Sequence, residues 1–272
     1  MKRKAVIVGI SDYADSAPEL PAAETEAEEW KNLLMQQYGF QAQNIRMVNS
    51  PRATKLAIME RLEWLLTDVE DGDQLFFSFH GHGSRVIRRN LNGMVHDEQD
   101  EGLVAYPERG DDVEKQSLYD DDLARLVLLS KLPTYANLTF VLDCCHSGGI
   151  NLREPDQPRV FIPRDIAHRD RDWRRQKSAF RFGDCRRLPT FGQNPVTLSA
   201  VPRLELSELS GTIENRWRSV FSYHTLESLK KNKTQSYREL AESVTQPMLD
   251  RNIQNAPVLG GNRARFDHQF LQ

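Results

Sequence analysis

Short apolar runs alternate with longer amphipathic stretches along this chain, regularly enough to name elements. Residues 4–10 (KAVIVGI) are β-branched and continuous, closed by Gly9 and the Ser11-Asp12 turn, the pattern of a buried strand. From about residue 21 to 38, acids come early (Glu24, Glu26, Glu28, Glu29). Ala27, Trp30, Leu33 and Leu34 then recur at helical spacing, and Gly39 is placed to end the helix. Residues 44–48 read as a second strand and 54–69 as a second helix; Asp71 to Gln74 then turn the chain into a third strand at 75–79. Residues 85–112 are polar and read as loops with a hairpin, followed by a helix at 121–129 and a fourth buried strand at 138–143. Beyond residue 195 come a strand at 196–200, helices at 219–231 and 236–249, and a closing strand at 257–261. Strand, helix, strand in repeated order predicts an α/β fold with a mostly parallel sheet covered by helices on both faces. Functional groups in such sheets collect at the carboxyl ends of strands.

Residues 151–194 interrupt this rhythm. The stretch holds Pro155, Pro158, Pro163 and Pro189, and from Arg164 to Arg187 nine Lys/Arg stand against four Asp with little periodicity. It reads as a long basic loop joining a larger region, 1–150, to a smaller one, 195–272, that completes the same sheet.

Composition narrows the class. The chain has 272 residues, 39% of them hydrophobic, enough to bury a substantial core. With 36 Lys plus Arg against 39 Asp plus Glu, no global positive field exists to recruit nucleic acid or an anionic membrane. No run approaches 18 uninterrupted apolar residues, so no span is expected. The three cysteines, Cys144, Cys145 and Cys185, include an adjacent pair, a poor basis for a disulfide framework. Reduced thiols and a cytoplasmic location are the expectation.

Chemistry stands at two strand ends. FFSFHGHGS puts His80 and His82 just past the third strand, with Gly81 and Gly83 expected to let the backbone turn and present bare N–H groups. LDCCHSGG places Cys144, Cys145 and His146 just past the fourth. If those strands are neighbours, an imidazole and a thiol share one sheet edge. Nucleophilic catalysis by cysteine needs such a pair: a thiolate beside a base, with small residues shaping an oxyanion site.

At these residues the chain resembles the metacaspases and orthocaspases, members of the caspase-like peptidase clan. The resemblance runs through AVIVGISDY, DGDQLFFSFHGHGS, DEQDEGLV, LYDDDL, TFVLDCCHSGG, VTLSA, SYRELAESV and APVLGG. It implies a caspase-like sandwich and a cysteine endopeptidase with His82 as general base and Cys145, rather than Cys144, as nucleophile. The backbone N–H groups of Gly83 and Cys145 would serve as oxyanion donors. It implies cleavage of protein or peptide substrates after Arg or Lys, held by Asp143 and by Glu26, which stands where the family usually has Asp. His80 replaces a common Ser in the same pocket. Calcium as an activator is implied at Asp120 and Asp121, with Leu152 where a further acid is usual. An Arg-specific peptidase would find sites for autoprocessing within 164–187. The chain's end at Gln272, soon after the last expected strand, leaves room for a further C-terminal domain or a regulatory partner.

Plainer readings stand beside these. His80, His82, Cys144, Cys145 and His146 offer five soft ligands for a metal-binding module, though at spacings unlike the usual tetrahedral pairs. A catalytically silent caspase-like scaffold or signalling module would keep the same fold. The acids at 120–122 also suit a helix N-terminus, and the basic loop also suits a solvated surface or a docking arm.

Overall fold

The computed structural model describes residues 1–14, 16–89, 95–108, 116–144, 160–161, 195–200, 210–252 and 257–272. Twelve strands are found among them: β1 (Arg3–Gly9), β2 (Ile45–Asn49), β3 (Gln74–His80), β4 (Gly83–Arg89), β5 (Val95–Val104), β6 (Ser117–Tyr119), β7 (Asn137–Asp143), β8 (Val160–Phe161), β9 (Val196–Ser199), β10 (Ser210–Ile213), β11 (Arg216–Ser219) and β12 (Val258–Gly261). The α-helices are α1 (Ala23–Gln37), α2 (Lys55–Leu66), α3 (Asp120–Ser130), α4 (Val220–Lys231) and α5 (Tyr237–Leu249).

Six strands form the central sheet in the order β12-β9-β7-β3-β1-β2, parallel except for β12, which runs antiparallel to β9. The two-residue pleat sorts their side chains. Ala5, Ile7, Phe76 and Val141 join one core with Trp30, Leu33 and Leu34 of α1, Phe221 and Leu229 of α4 and Leu240 and Val244 of α5. Val6, Val8, Leu75, Phe77, Phe140 and Leu142 join a second core with Ile58, Leu62 and Leu65 of α2 and Leu123 of α3. Strands buried on both faces carry continuous apolar runs for this reason, and helices cover both sides as the sequence predicts.

Several helix starts follow from capping. The Thr54 hydroxyl accepts the Ala57 N–H at 3.3 Å, and the Ser219 hydroxyl accepts the Ser222 N–H at 3.3 Å. Ser236 and Glu239 close a reciprocal capping box at 3.1 and 2.8 Å. These residues end the preceding strand or loop, so each helix begins one residue later than its apolar period suggests. Gly261 ends β12 at φ +92°, where a Cβ would stand 1.8 Å from the Pro195 carbonyl oxygen; only glycine fits that edge.

A second sheet, β6-β5-β4-β8, is built on the β4–β5 hairpin expected from the polar stretch. Three features depart from the sequence reading, β6 being one, in a stretch given no element. Within the stretch read as loop, Val160 and Phe161 pair in parallel with Gly83 and Ser84. The β10–β11 hairpin, four residues a strand, also went unread; Glu214 and Asn215 turn it with positive φ. Strands this short carry too few alternations to register as a period. No helix among the described residues is long and apolar enough to cross a membrane.

Candidate active site

In parallel register β3 and β7 end together, so His80 lies directly opposite Asp143. By the pleat, His80 shares a face with Phe76 and Asp143 with Val141, and both therefore project toward α1 and α4. Glu26 meets them from α1, on the stripe Ala23, Glu26, Ala27, Trp30, Leu33 and Leu34 that the helix buries. Ligand-bearing atoms of Glu26, His80 and Asp143 all lie within 4.8 Å of one another, and all three side chains are at most 2% exposed. The three residues that the resemblance implies for a substrate pocket are thus gathered in one place.

Serines at the β11–α4 junction hold the acids. The Ser219 N–H donates to Glu26 Oε1 at 2.5 Å, while the Ser219 hydroxyl donates to Asp143 Oδ1 at 2.9 Å. One helical turn on, the Ser222 hydroxyl donates to Asp143 Oδ2 at 2.5 Å. Ser222 Oγ also lies 3.3 Å from His80 Nδ1, and having one hydrogen, already given to Asp143, it accepts there from Nδ1–H. His80 Nδ1 stands 3.7 Å from Asp143 Oδ2. Burying two carboxylates costs several kcal/mol per ion unless donors and opposite charge surround them, and the serines supply the donors. Sequence reasoning missed both serines; their only signal is an S-x-x-S spacing across a strand-to-helix junction.

His82 is fixed separately, just beyond β3. Its Nε2 lies 2.7 Å from the Pro18 carbonyl oxygen, an acceptor that places the neutral ring's proton on Nε2 and its lone pair on Nδ1. Its backbone N–H donates to the Tyr13 hydroxyl at 2.8 Å, which donates to the Val104 carbonyl at 3.3 Å. The Tyr13 and His82 rings pack at 4.9 Å between centroids. Gly81 makes this possible: a Cβ there would stand 2.6 Å from Tyr13 Oη and 2.9 Å from the Phe79 ring. Its φ is not in the left-handed region, so the glycine provides room for Tyr13 rather than the turn the sequence reading assigned to it. Gly83, likewise of ordinary φ, opens β4 opposite Leu103.

Asp143 is followed by Cys144, which is fully buried in the core that also contains Leu142 and Tyr13. Cys145, the second oxyanion donor with it, and the basic stretch 164–187 lie outside the described residues. Asp120 and Asp121 open α3. Their neighbour Asp122 is engaged by Lys55 Nζ at 3.0 Å and by the Tyr119 N–H at 3.2 Å.

Comparison with known proteins gives the fold and the family. The solved structure of pro-sf-caspase-1 superposes with a TM-score of 0.52 at 12% identity, covering 95% of this chain and 90% of that one. A crystal structure of a protein from Geobacter sulfurreducens gives a TM-score of 0.71 at 19% identity, covering 100% and 99%. The fold is therefore caspase-like, an α/β sandwich around a mostly parallel sheet. Metacaspase-1 of Arabidopsis thaliana is 33% identical over 155 residues, covering 55% of this chain and 40% of that protein. Metacaspase-1 of Kluyveromyces lactis is 30% identical over 179 residues, covering 64% and 39%. The chain spans about two fifths of the length of these curated relatives. The family model for the metacaspase, peptidase C14 domain, matches residues 3–152, more than half of the sequence. The chain belongs to the metacaspase peptidase C14 family, whose class is that of cysteine-type peptidases.

Proposed function

We propose that this chain is a cysteine endopeptidase that cleaves proteins after Arg or Lys, with Cys145 as nucleophile and His82 as its base. One observation carries the reading: a buried carboxylate pair, Glu26 and Asp143, at the same sheet edge as an imidazole whose Nε2 is anchored on a backbone carbonyl. Anchoring Nε2 orients the ring, stabilises the imidazolium that forms when Nδ1 takes the thiol proton, and leaves Nδ1–H to protonate the leaving amine. The Cys145 thiolate attacks the scissile carbonyl, the oxyanion is met by the N–H groups of Gly83 and Cys145, and water resolves the thioester. A buried acid pair holds a guanidinium or ammonium strongly because the charge is paired away from water.

The regions 1–150 and 195–272 correspond in this reading to a large and a small catalytic part, joined by 151–194, where the enzyme cuts itself after a basic residue. Calcium would be held at Asp120 and Asp121, which open α3 and whose carboxylates are hard oxygen ligands of the kind calcium takes. No step of the chemistry passes through it. A cytoplasmic setting suits a reduced nucleophile.

The test is hydrolysis of fluorogenic peptides with Arg, Lys or Asp at P1, with and without calcium, in the unmodified protein and in Cys145→Ala. Turnover after Arg or Lys, lost in Cys145→Ala, is the expected result. Preference for Asp would overturn the role of Glu26 and Asp143, and absence of turnover in every arm would favour a silent scaffold.

A further inference from the structure

The carbonyl that anchors His82 belongs to the segment 10–22, which joins β1 to α1 and also carries Tyr13, packed on the same ring. Such a connection keeps an atom in place only if its own ends are held. Ser11, just past β1, accepts the Leu20 N–H on its carbonyl at 2.8 Å and the Glu24 N–H on its hydroxyl at 3.1 Å. The second bond satisfies a helix-start N–H, at a terminus where the N-cap residue, Ala22, makes no side-chain cap. Ser50, just past β2, stands between entrance and exit: its hydroxyl accepts the Asp12 N–H at 3.4 Å and donates to the Glu24 carboxylate. Ser50 is itself tied down by its N–H on the Gly9 carbonyl at 3.3 Å. Packing here is close, since a Cβ on Gly9 would lie 2.9 Å from Glu24 Cα.

We infer that Glu24 and Ser50 are positioning residues for the base: together they clamp the two ends of 10–22 against β1 and β2 and so fix the Pro18 carbonyl on His82 Nε2. The inference rests on reading His82 as the base. A carbonyl acceptor orients the ring and stabilises the imidazolium only while it stays within hydrogen-bond reach, and misplacing a catalytic group by about 1 Å can cost about a hundredfold in rate. The first turn of α1 suits the carboxylate of Glu24, because the helix N-terminus favours negative charge. Two residues on, Glu26 meets His80 and Asp143, whereas Glu24 meets the end of β2. The clamp therefore bears on the base rather than on the acid cluster. Because hydroxyl and carboxylate share one hydrogen bond, removing either releases the same contact, and removing both releases little more.

Hydrolysis of a fluorogenic peptide with Arg at P1 is measured in the unmodified protein, in Ser50→Ala, Glu24→Ala and their double variant, in Glu24→Gln and in His82→Ala. In each single alanine variant kcat is expected to fall about tenfold, and in the double variant by the same factor, with KM changed less than about twofold. Glu24→Gln, whose side-chain carbonyl still accepts from Ser50, is expected to restore kcat to within about twofold. Unchanged kcat in the single variants, losses that add in the double variant, a rise in KM with kcat intact, or Glu24→Gln as slow as Glu24→Ala would overturn the inference while leaving His82 as the base. Turnover undiminished in His82→Ala, or none in the unmodified protein, would instead remove the reading on which it rests. Ser50→Ala deletes only a hydroxyl, so the test stands even if Glu24→Ala fails to fold.

Discussion

Ser222 donates its hydroxyl to Asp143 Oδ2 at 2.5 Å, so the first turn of α4 holds the carboxylate that ends β7. Both side chains are fully buried. Ser222→Ala removes a serine hydroxyl donated to that carboxylate and leaves its charge less well satisfied. The expected loss is about 1–3 kcal/mol of unfolding free energy, read by urea denaturation with an unchanged m-value.

The Tyr13 hydroxyl sits between the His82 N–H and the Val104 carbonyl. Tyr13→Phe leaves both backbone groups buried without that partner, at a cost of about 2 kcal/mol. His82 approaches from the Tyr13 side, whereas the acid pair is held by α1 and α4. Peptide hydrolysis is therefore expected to lose kcat by tenfold or more while KM for Arg substrates changes little. Gly81→Ala, whose Cβ would meet Tyr13 Oη at 2.6 Å, is expected to act in the same direction.

Arg218 binds Glu29 through one nitrogen to both carboxylate oxygens and lies 5.3 Å over the Tyr223 ring, fastening the β10–β11 hairpin to α1. A double-mutant cycle with Glu29→Gln and Arg218→Gln is expected to give a coupling of about 1 kcal/mol, more than a solvated surface pair provides, because both groups are largely covered.

His224 of α4 titrates below the ordinary imidazole range, first because it is partly buried and next because Arg251 is close. The folded state therefore disfavours its proton, and the unfolded chain takes that proton up first as pH falls. Its contribution to stability is complete above the ordinary imidazole range and is lost on acidification. Melting temperatures at pH 7.5 and 5.5 are expected to differ less in His224→Asn than in the unmodified protein.

Much of this site was legible in one sequence. The pleat puts His80 on the face of Phe76 and Ser78, and the helical period puts Glu26 on the stripe of Ala27 and Trp30, so an acid and a histidine on core-facing positions already mark a buried polar cluster. Glycines next to His82 suggested a turn after β3, whereas Gly81 is there for the Tyr13 hydroxyl and Gly83 opens β4. What stayed hidden depends on tertiary contact. Tyr13, Pro18, Ser219 and Ser222 are ordinary residues until β1, β3, β7 and α4 converge, and only the folded chain makes a proline carbonyl the partner of a histidine ring.

Labelling by a peptidyl acyloxymethyl ketone with Arg at P1, followed by mass-spectrometric mapping, joins nucleophile, base and pocket in one measurement. The reagent needs a thiolate to alkylate and an acid pair to hold its side chain. The expected result is one adduct per chain on Cys145, lost in His82→Ala and absent with the corresponding Asp reagent. An adduct on Cys144 or Cys185, or equal labelling by the Asp reagent, would contradict the account.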